Sequence, residues 1–196
     1  TEWGWRIPFV VGCLIVPFLF WIRRMLEETE AFSQRKQHPS MGAIVRTVAS
    51  NWALVLAGML MVVTTTVMFY MITAFTPTFG KTVLMMSDKQ SFLVTLCIGL
   101  SNLIWLPLMG ALSDRVGRRP LLIIFTLLMI VTAWPVLHWL VGSPSFAHLL
   151  EAELWLSFLY ASYNGAMVVY LAEVMPAEVR ASGFSLAYSL ATALFG

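Results

Sequence analysis

Charge is what this chain has least of. Of its 196 residues only 12 are Lys or Arg and 10 are Asp or Glu, 11% together, where a soluble domain carries about 25%. The formal net charge of +2 is too small to call for a nucleic-acid partner. Cysteine is scarce as well. Cys13 and Cys97 each sit inside an apolar run and read as buried small hydrophobes, not as a disulfide or metal ligands. No His or Cys cluster has the spacing of a metal site. No nucleophile–base pair and no glycine-rich phosphate loop appear, so the sequence predicts no enzyme and no cofactor. Segments of alternating polarity, which a membrane barrel needs, are missing too. The chain starts at Thr1 with neither a methionine nor a signal peptide, and it stops at Gly196 inside an apolar run. Both ends are therefore expected to be cuts in a longer protein.

What is present in quantity is hydrocarbon. Hydrophobic residues make up 59% of the chain, and mean hydropathy is +0.82. Long uncharged runs, rather than one large core, account for this. Ser91–Leu112 and Pro120–Gly142 contain no charged residue. Each is about long enough to cross a roughly 30 Å hydrocarbon layer as a helix. Six segments can be placed: 1–22, holding the apolar run Ile7–Ile22, then 52–79, 91–112, 120–142, 154–172 and 183–196. The last is short. Backbone inside lipid must satisfy its own hydrogen bonds, so these segments are predicted to be helices and the fold all-α and membrane-embedded.

The basic residues orient the segments. One set of connections holds Arg23, Arg24, Arg35, Lys36, Arg46, Arg115, Arg118, Arg119 and Arg180; the other holds Arg6, Lys81 and Lys89. Nine against three places the first set in the cytoplasm. Trp3, Trp5, Trp21, Trp52, Trp134 and Trp139 stand at segment ends, as an interfacial belt requires. The stretch 23–50 is the long polar connection. It reads either as a solvated linker or as a short amphipathic helix over Arg23–Arg35 at the membrane surface.

The turn Gly110-Ala111-Leu112-Ser113-Asp114-Arg115-Val116-Gly117-Arg118-Arg119-Pro120 is the most specific feature. It makes two antiparallel neighbours of the flanking helices. Arg118 follows Asp114 by four residues, within reach if the helical turn continues. Gly110 permits close backbone approach, Gly117 a tight turn, and Pro120 suits a helix start. This pattern resembles the signature loop of the major facilitator superfamily of secondary transporters. Glu173-Val174-Met175-Pro176-Ala177-Glu178-Val179-Arg180 similarly resembles the turn after the tenth helix of many facilitators. The resemblance implies a partial major facilitator fold, helices six to eleven, with 1–22 as helix six, 23–50 as the central cytoplasmic loop and 51–196 as a truncated C-terminal half. The N-terminal half of the same transporter is then a missing partner. It also implies a cytoplasmic gate built from Gly110, Asp114, Arg115, Gly117, Arg118, Arg119, Glu173 and Arg180. In the family the acidic residue meets the start of the eleventh helix, here near Ser182 and Gly183, where the helix dipole favours a carboxylate. Glu173 is expected to pair with Arg118, Arg119 or Arg180. The bland alternatives are arginines that only set topology and an ordinary helix-end charge pair.

Polar residues inside the segments are few and patterned. Thr66, Tyr70, Thr73 and Pro77 share one face, with Thr64 and Thr65 beside them. Ser101 and Asn102 lie mid-segment; Ser157, Tyr160, Asn164 and Met167 share a face; Tyr188, Ser189 and Thr192 mark the last segment. Segments 1–22 and 120–142 are nearly free of such groups and are expected to face lipid. Each hydroxyl or amide faces either a cavity or a neighbouring helix. Thr66, Tyr70, Thr73, Asn102, Tyr160 and Asn164 are the candidate cavity-lining, substrate-binding residues. Charged groups at mid-depth are missing, and Glu151 and Glu153 are placed at the outer mouth. A proton-carrying group is accordingly expected in the missing half.

Further stretches narrow the resemblance. Gly4-Trp5-Arg6-Ile7-Pro8-Phe9 and Arg23-Arg24-Met25-Leu26-Glu27-Glu28-Thr29-Glu30 resemble the metabolite–proton symporter branch. Thr64–Thr78, Ser101-Asn102-Leu103-Ile104-Trp105-Leu106-Pro107 and Tyr163-Asn164-Gly165-Ala166-Met167 are similar to bacterial citrate–proton and tricarballylate transporters. That resemblance implies symport of protons with a small organic anion, citrate or tricarballylate, across a bacterial inner membrane. The alternatives are another organic acid or an osmolyte as solute, or a non-transporting membrane receptor or scaffold.

Overall fold

The computed structural model describes residues 4–25, 41–176 and 180–196. These residues form helices, with no strand among them. The chain divides into two units, 1–40 and 41–196. In the first, a 3₁₀ turn, Gly4–Arg6, leads into α1, Ile7–Met25, which carries Pro17 inside it and Arg23 and Arg24 in its last turn. The amphipathic helix expected over Arg23–Arg35 lies mostly outside the described residues.

The second unit opens with α2, Met41–Ser50, a helix that the polar composition of the stretch did not announce. Then follow α3, Trp52–Thr82; α4, Asp88–Val116; α5, Arg118–Gly142; and α6, Phe146–Val174. These four are long and apolar enough to cross a membrane. The unit ends with α7, Arg180–Phe195. Helices occupy the described residues of the six apolar segments, and most extend beyond them. Hydropathy stops at the first charge, whereas a helix runs to its cap. Ser87 caps α4 in a reciprocal box with Gln90, so the helix starts at Asp88 and not at Ser91. Ser145 accepts the His148 N–H and starts α6 at Phe146.

α6 is the axis of this unit. It packs along α4 and α5 and touches α3, while α3 packs on α7. Two apolar clusters meet along it. One joins Val62, Phe125, Leu159, Met167 and Ala191; the other joins Ile72, Ile98, Leu140, Leu149 and Leu156. Polar cross-links add register. Trp155 donates to the Thr132 hydroxyl at 3.0 Å, and the Tyr163 hydroxyl donates to the Met61 carbonyl at 3.2 Å. α4 and α6 cross with glycine on glycine. A Cβ on Gly165 would lie 2.9 Å from the Leu106 carbonyl oxygen and 3.1 Å from the Gly110 nitrogen. Small residues allow this contact, which lipid-embedded helices use where hydrophobic association is weak.

The outside is as apolar as the inside. Leu96, Leu100, Leu103 and Ile104 of α4, with Ile123, Leu127, Ile130 and Trp134 of α5, are all exposed. A water-soluble domain does not leave such a belt uncovered. α5 leaves one apolar face exposed and buries Leu121, Phe125 and Met129 on another.

α3 is not a uniform helix. Met71–Phe75 forms a π turn between the α-helical stretches Trp52–Tyr70 and Thr76–Thr82. Pro77 has no N–H to give, and the extra residue absorbs the break. The Thr76 N–H and hydroxyl both reach the Met71 carbonyl, the hydroxyl at 2.9 Å.

Candidate functional site

The signature turn folds into a charge cluster at one end of the unit. Gly117 has φ +101°, the left-handed region that glycine enters without strain, and it lets α4 reverse directly into α5. Arg118 thereby opens α5 beside the last turn of α4. Its guanidinium pairs with Asp114 and, through two nitrogens at 3.0 and 3.3 Å, with both carboxylate oxygens of Glu173 at the end of α6. It also donates to the Ser113 hydroxyl at 2.6 Å, which in turn donates to the Gly110 carbonyl at 2.7 Å. A planar fork on a carboxylate fixes direction as well as distance. One arginine thus ties the ends of α4, α5 and α6 together. Its side chain is only 16% exposed, while Asp114 and Glu173 are open to solvent.

The other predicted gate residues separate by role. Arg119 donates to the Tyr170 hydroxyl at 3.1 Å and lies over its ring. Arg180 donates to the Met175 carbonyl at 3.4 Å. Arg115 is exposed. Of the three arginines offered to Glu173, the structure selects Arg118. Asp114 pairs with Arg118, and among the described residues no bond joins it to Ser182 or Gly183. Ser113 and Tyr170 were not singled out from the sequence. Ser113 stands inside the quoted turn, but hydrophobicity alone gives it no weight.

The predicted cavity residues are dispersed. Asn102 of α4 accepts from the Ser157 hydroxyl of α6 at 3.0 Å. The Asn164 amide donates to the Tyr160 hydroxyl at 3.5 Å, and its carbonyl oxygen is buried with no partner among the described residues. Tyr160 is buried and its ring leans on Phe69 of α3, next to Tyr70. Thr66 is buried. Thr73 donates to the Phe69 carbonyl at 2.6 Å and lines an open groove of about 540 Å³ with Thr78, Lys81, Ser91 and Thr95. Tyr70 is 42% exposed and lines a separate groove with Val67, Ala74 and Thr78. A third groove, about 460 Å³, runs past Met61, Arg119, Thr126, Tyr163 and Tyr170 near the charge cluster. Asn102 and Ser157 meet, and so do Tyr160 and Asn164, while Thr73 and Tyr70 line different grooves.

Glu153 departs most from expectation. Expected at the outer mouth beside Glu151, it is buried. Glu151 is exposed, but Glu153 has no exposed surface, and among the described residues neither carboxylate oxygen has a hydrogen-bond partner of good geometry, although the Thr76 hydroxyl faces it. Its position in the sequence carried the signal, since Glu153, Ser157, Tyr160 and Asn164 follow i, i+4, i+7, i+11 spacing on one helix face.

Among curated proteins, the chain is 58% identical over 196 residues to the "Citrate-proton symporter" of Klebsiella pneumoniae, covering 100% of this chain and 44% of that protein. It is 55% identical over 196 residues to the protein of the same name from Salmonella typhi, covering 100% of this chain and 45% of that one. To the "Alpha-ketoglutarate permease" of Escherichia coli (strain K12) it is 35% identical over 202 residues, covering 100% and 45%. The chain therefore spans about half the length of the curated relatives it matches. No solved structure matches it significantly. The apolar helices place it as a multi-pass membrane protein, and the family model matches residues 1–196 throughout: the chain belongs to the Major Facilitator Superfamily.

Proposed function

We propose that this chain supplies helices six to eleven of a proton-coupled symporter for citrate or a related tricarboxylate. Such a carrier would work by alternating access in a bacterial inner membrane, with the other helices provided by the rest of the carrier. One observation carries the reading: identity of 58% across the whole chain with a protein named as a citrate–proton symporter. Electrostatics supports the coupling. A multiply charged anion crosses a low-dielectric layer only if protons or cations compensate it. Substrate oxygens would meet the hydroxyls and amides of Thr66, Tyr70, Thr73, Asn102, Tyr160 and Asn164 where the two halves face each other. The Arg118 cluster would hold the cytoplasmic ends of α4, α5 and α6 as one body while the halves rock. The segments then carry the family's roles: 1–22 is helix six, 23–50 the central cytoplasmic loop and 51–196 the C-terminal half.

Uptake of labelled citrate by the intact carrier in vesicles, driven by an imposed pH gradient, tests this. Unlabelled citrate and tricarballylate should compete; α-ketoglutarate and betaine should compete poorly. A symporter for a different organic acid is the second reading, favoured by the 35% identity to the α-ketoglutarate permease. Competition by α-ketoglutarate with none by citrate would establish it in place of the first. Binding without accumulation of any solute would mark a receptor.

A further inference from the structure

Glu153 lies seven residues into α6, roughly 10 Å from its start. Its helical neighbours Leu149, Ala152, Leu156 and Ser157 are buried as well. Across from it, within reach of its carboxyl, stands Thr76, the residue that closes the π turn of α3, whose hydroxyl donates to the Met71 carbonyl. Thr76 also lines an apolar cavity of about 310 Å³ with Met71, Phe75, Phe79 and Leu140. An ionised carboxylate left dry and unpaired costs far more than a neutral acid.

The charged and titratable groups on the surrounding elements do not compensate it. Lys81 of α3 pairs with Asp88 of α4 at 2.8 Å, both in solvent. Lys89 is exposed. His138 of α5 is exposed and stacks on Trp134. On α6, His148 bonds the Ser143 carbonyl, Glu151 faces outward and Tyr160 accepts from Asn164. Tyr188 of α7 stacks on Phe184. Among the described residues, no cation pairs with Glu153.

We propose that Glu153 is a proton-binding residue of the transport cycle, resting as the neutral acid against the π turn of α3. A proton from water adds to one carboxylate oxygen when the site is wet. The neutral acid is then buried as α3 closes on α6, and the same O–H bond breaks to water when they part. Two features mark Glu153 as more than a misplaced core residue. It heads the face that carries Ser157, Tyr160 and Asn164, and Ser157 is bonded to Asn102. It also packs on the one stretch of α3 whose hydrogen bonding is irregular, a feature that recurs at functional sites. This rests on the symporter reading and adds to it a coupling group in this half of the carrier.

The test uses the intact carrier in vesicles. Glu153→Gln keeps the shape of the neutral acid but cannot release a proton. It is expected to exchange internal for external solute within about twofold of the parent rate and to lose pH-gradient-driven accumulation by at least about tenfold. Glu153→Asp should retain part of the accumulation. Accumulation by Glu153→Gln at the parental level would overturn the proposal. So would loss of both exchange and accumulation in a variant that still purifies as a folded species. A second readout needs no solute. Dicyclohexylcarbodiimide reacts with a neutral carboxylic acid in apolar surroundings, the acid proton passing to a carbodiimide nitrogen as the O–C bond forms. Peptide mass analysis should find the adduct on Glu153, decreasing as pH rises. An unlabelled Glu153 at every pH would reject the proposal whatever the carrier transports. Should citrate not be carried, the substrate reading fails alone, and Glu153 is judged by the adduct and by whichever solute is carried.

Discussion

At Gly165 the backbones of α4 and α6 come as near as any side chain permits, and one methyl group measures the consequence. Gly165→Ala places a Cβ against the Leu106 carbonyl and the Gly110 nitrogen. The helices must separate, at about 1–3 kcal/mol. Gly110→Ala, on the other side of the same crossing, meets only the Gly165 carbonyl at 3.8 Å and should be tolerated. Thermal unfolding in detergent should rank the two variants in that order; equal stabilities would contradict the crossing. Gly117 is different in kind, since its φ of +101° makes any side chain strained whatever the space. Gly117→Ala should cost roughly 1–3 kcal/mol. The sequence marked Gly110 and Gly117 through the motif around them; Gly165 stood in the run Tyr163–Met167, but nothing there marked a close approach, because a crossing point is a property of two helices.

Among the elements, α4, α5 and α6 are joined at one end by charge, and α4 and α6 at mid-length by a hydroxyl–amide bond. Arg118 binds two carboxylates on two helices, so Asp114→Asn and Glu173→Gln each leave it one ionic partner. Asp114→Asn is expected to slow net uptake by about tenfold while changing substrate affinity less than about twofold. Initial uptake rates and equilibrium binding on the same preparation distinguish the two effects, and normal values of both would remove the gate from the mechanism. The Ser157–Asn102 bond is measurable by a double-mutant cycle with Ser157→Ala and Asn102→Ala. Its coupling should be about 0.6 kcal/mol, typical of polar contacts between membrane helices. In transport, Asn102→Ala and Tyr70→Phe should weaken apparent citrate affinity; unchanged affinity and rate in both would exclude them from the site. Helix ends were misjudged from hydropathy because Ser87 and Gln90 form a cap that no hydrophobicity scale registers.

For the whole molecule the decisive quantity is apolar surface. The exposed leucines, isoleucines and tryptophans of α4 and α5 require lipid or detergent, and the isolated polypeptide should aggregate in plain buffer. A monodisperse species without detergent would contradict the membrane assignment. Orientation is tested by single cysteines at Arg46 and Arg119, in a background lacking Cys13 and Cys97. An impermeant maleimide should reach both from the cytoplasmic side, and a cysteine at Ser87 from the opposite one. Labelling of Arg46 and Arg119 from different sides would overturn the topology.

Composition and the placement of arginines were enough to determine a helical membrane protein and the order of its spans. Hydrocarbon length, backbone hydrogen bonding and the charge asymmetry of the connections are local quantities that one strand of text records. The partner of Arg118, the crossing at Gly165, the π turn before Pro77 and the burial of Glu153 were decided by tertiary structure. Each depends on which helix stands opposite, and a glutamate two turns into a helix is wet or dry according to its neighbours rather than its position in the chain.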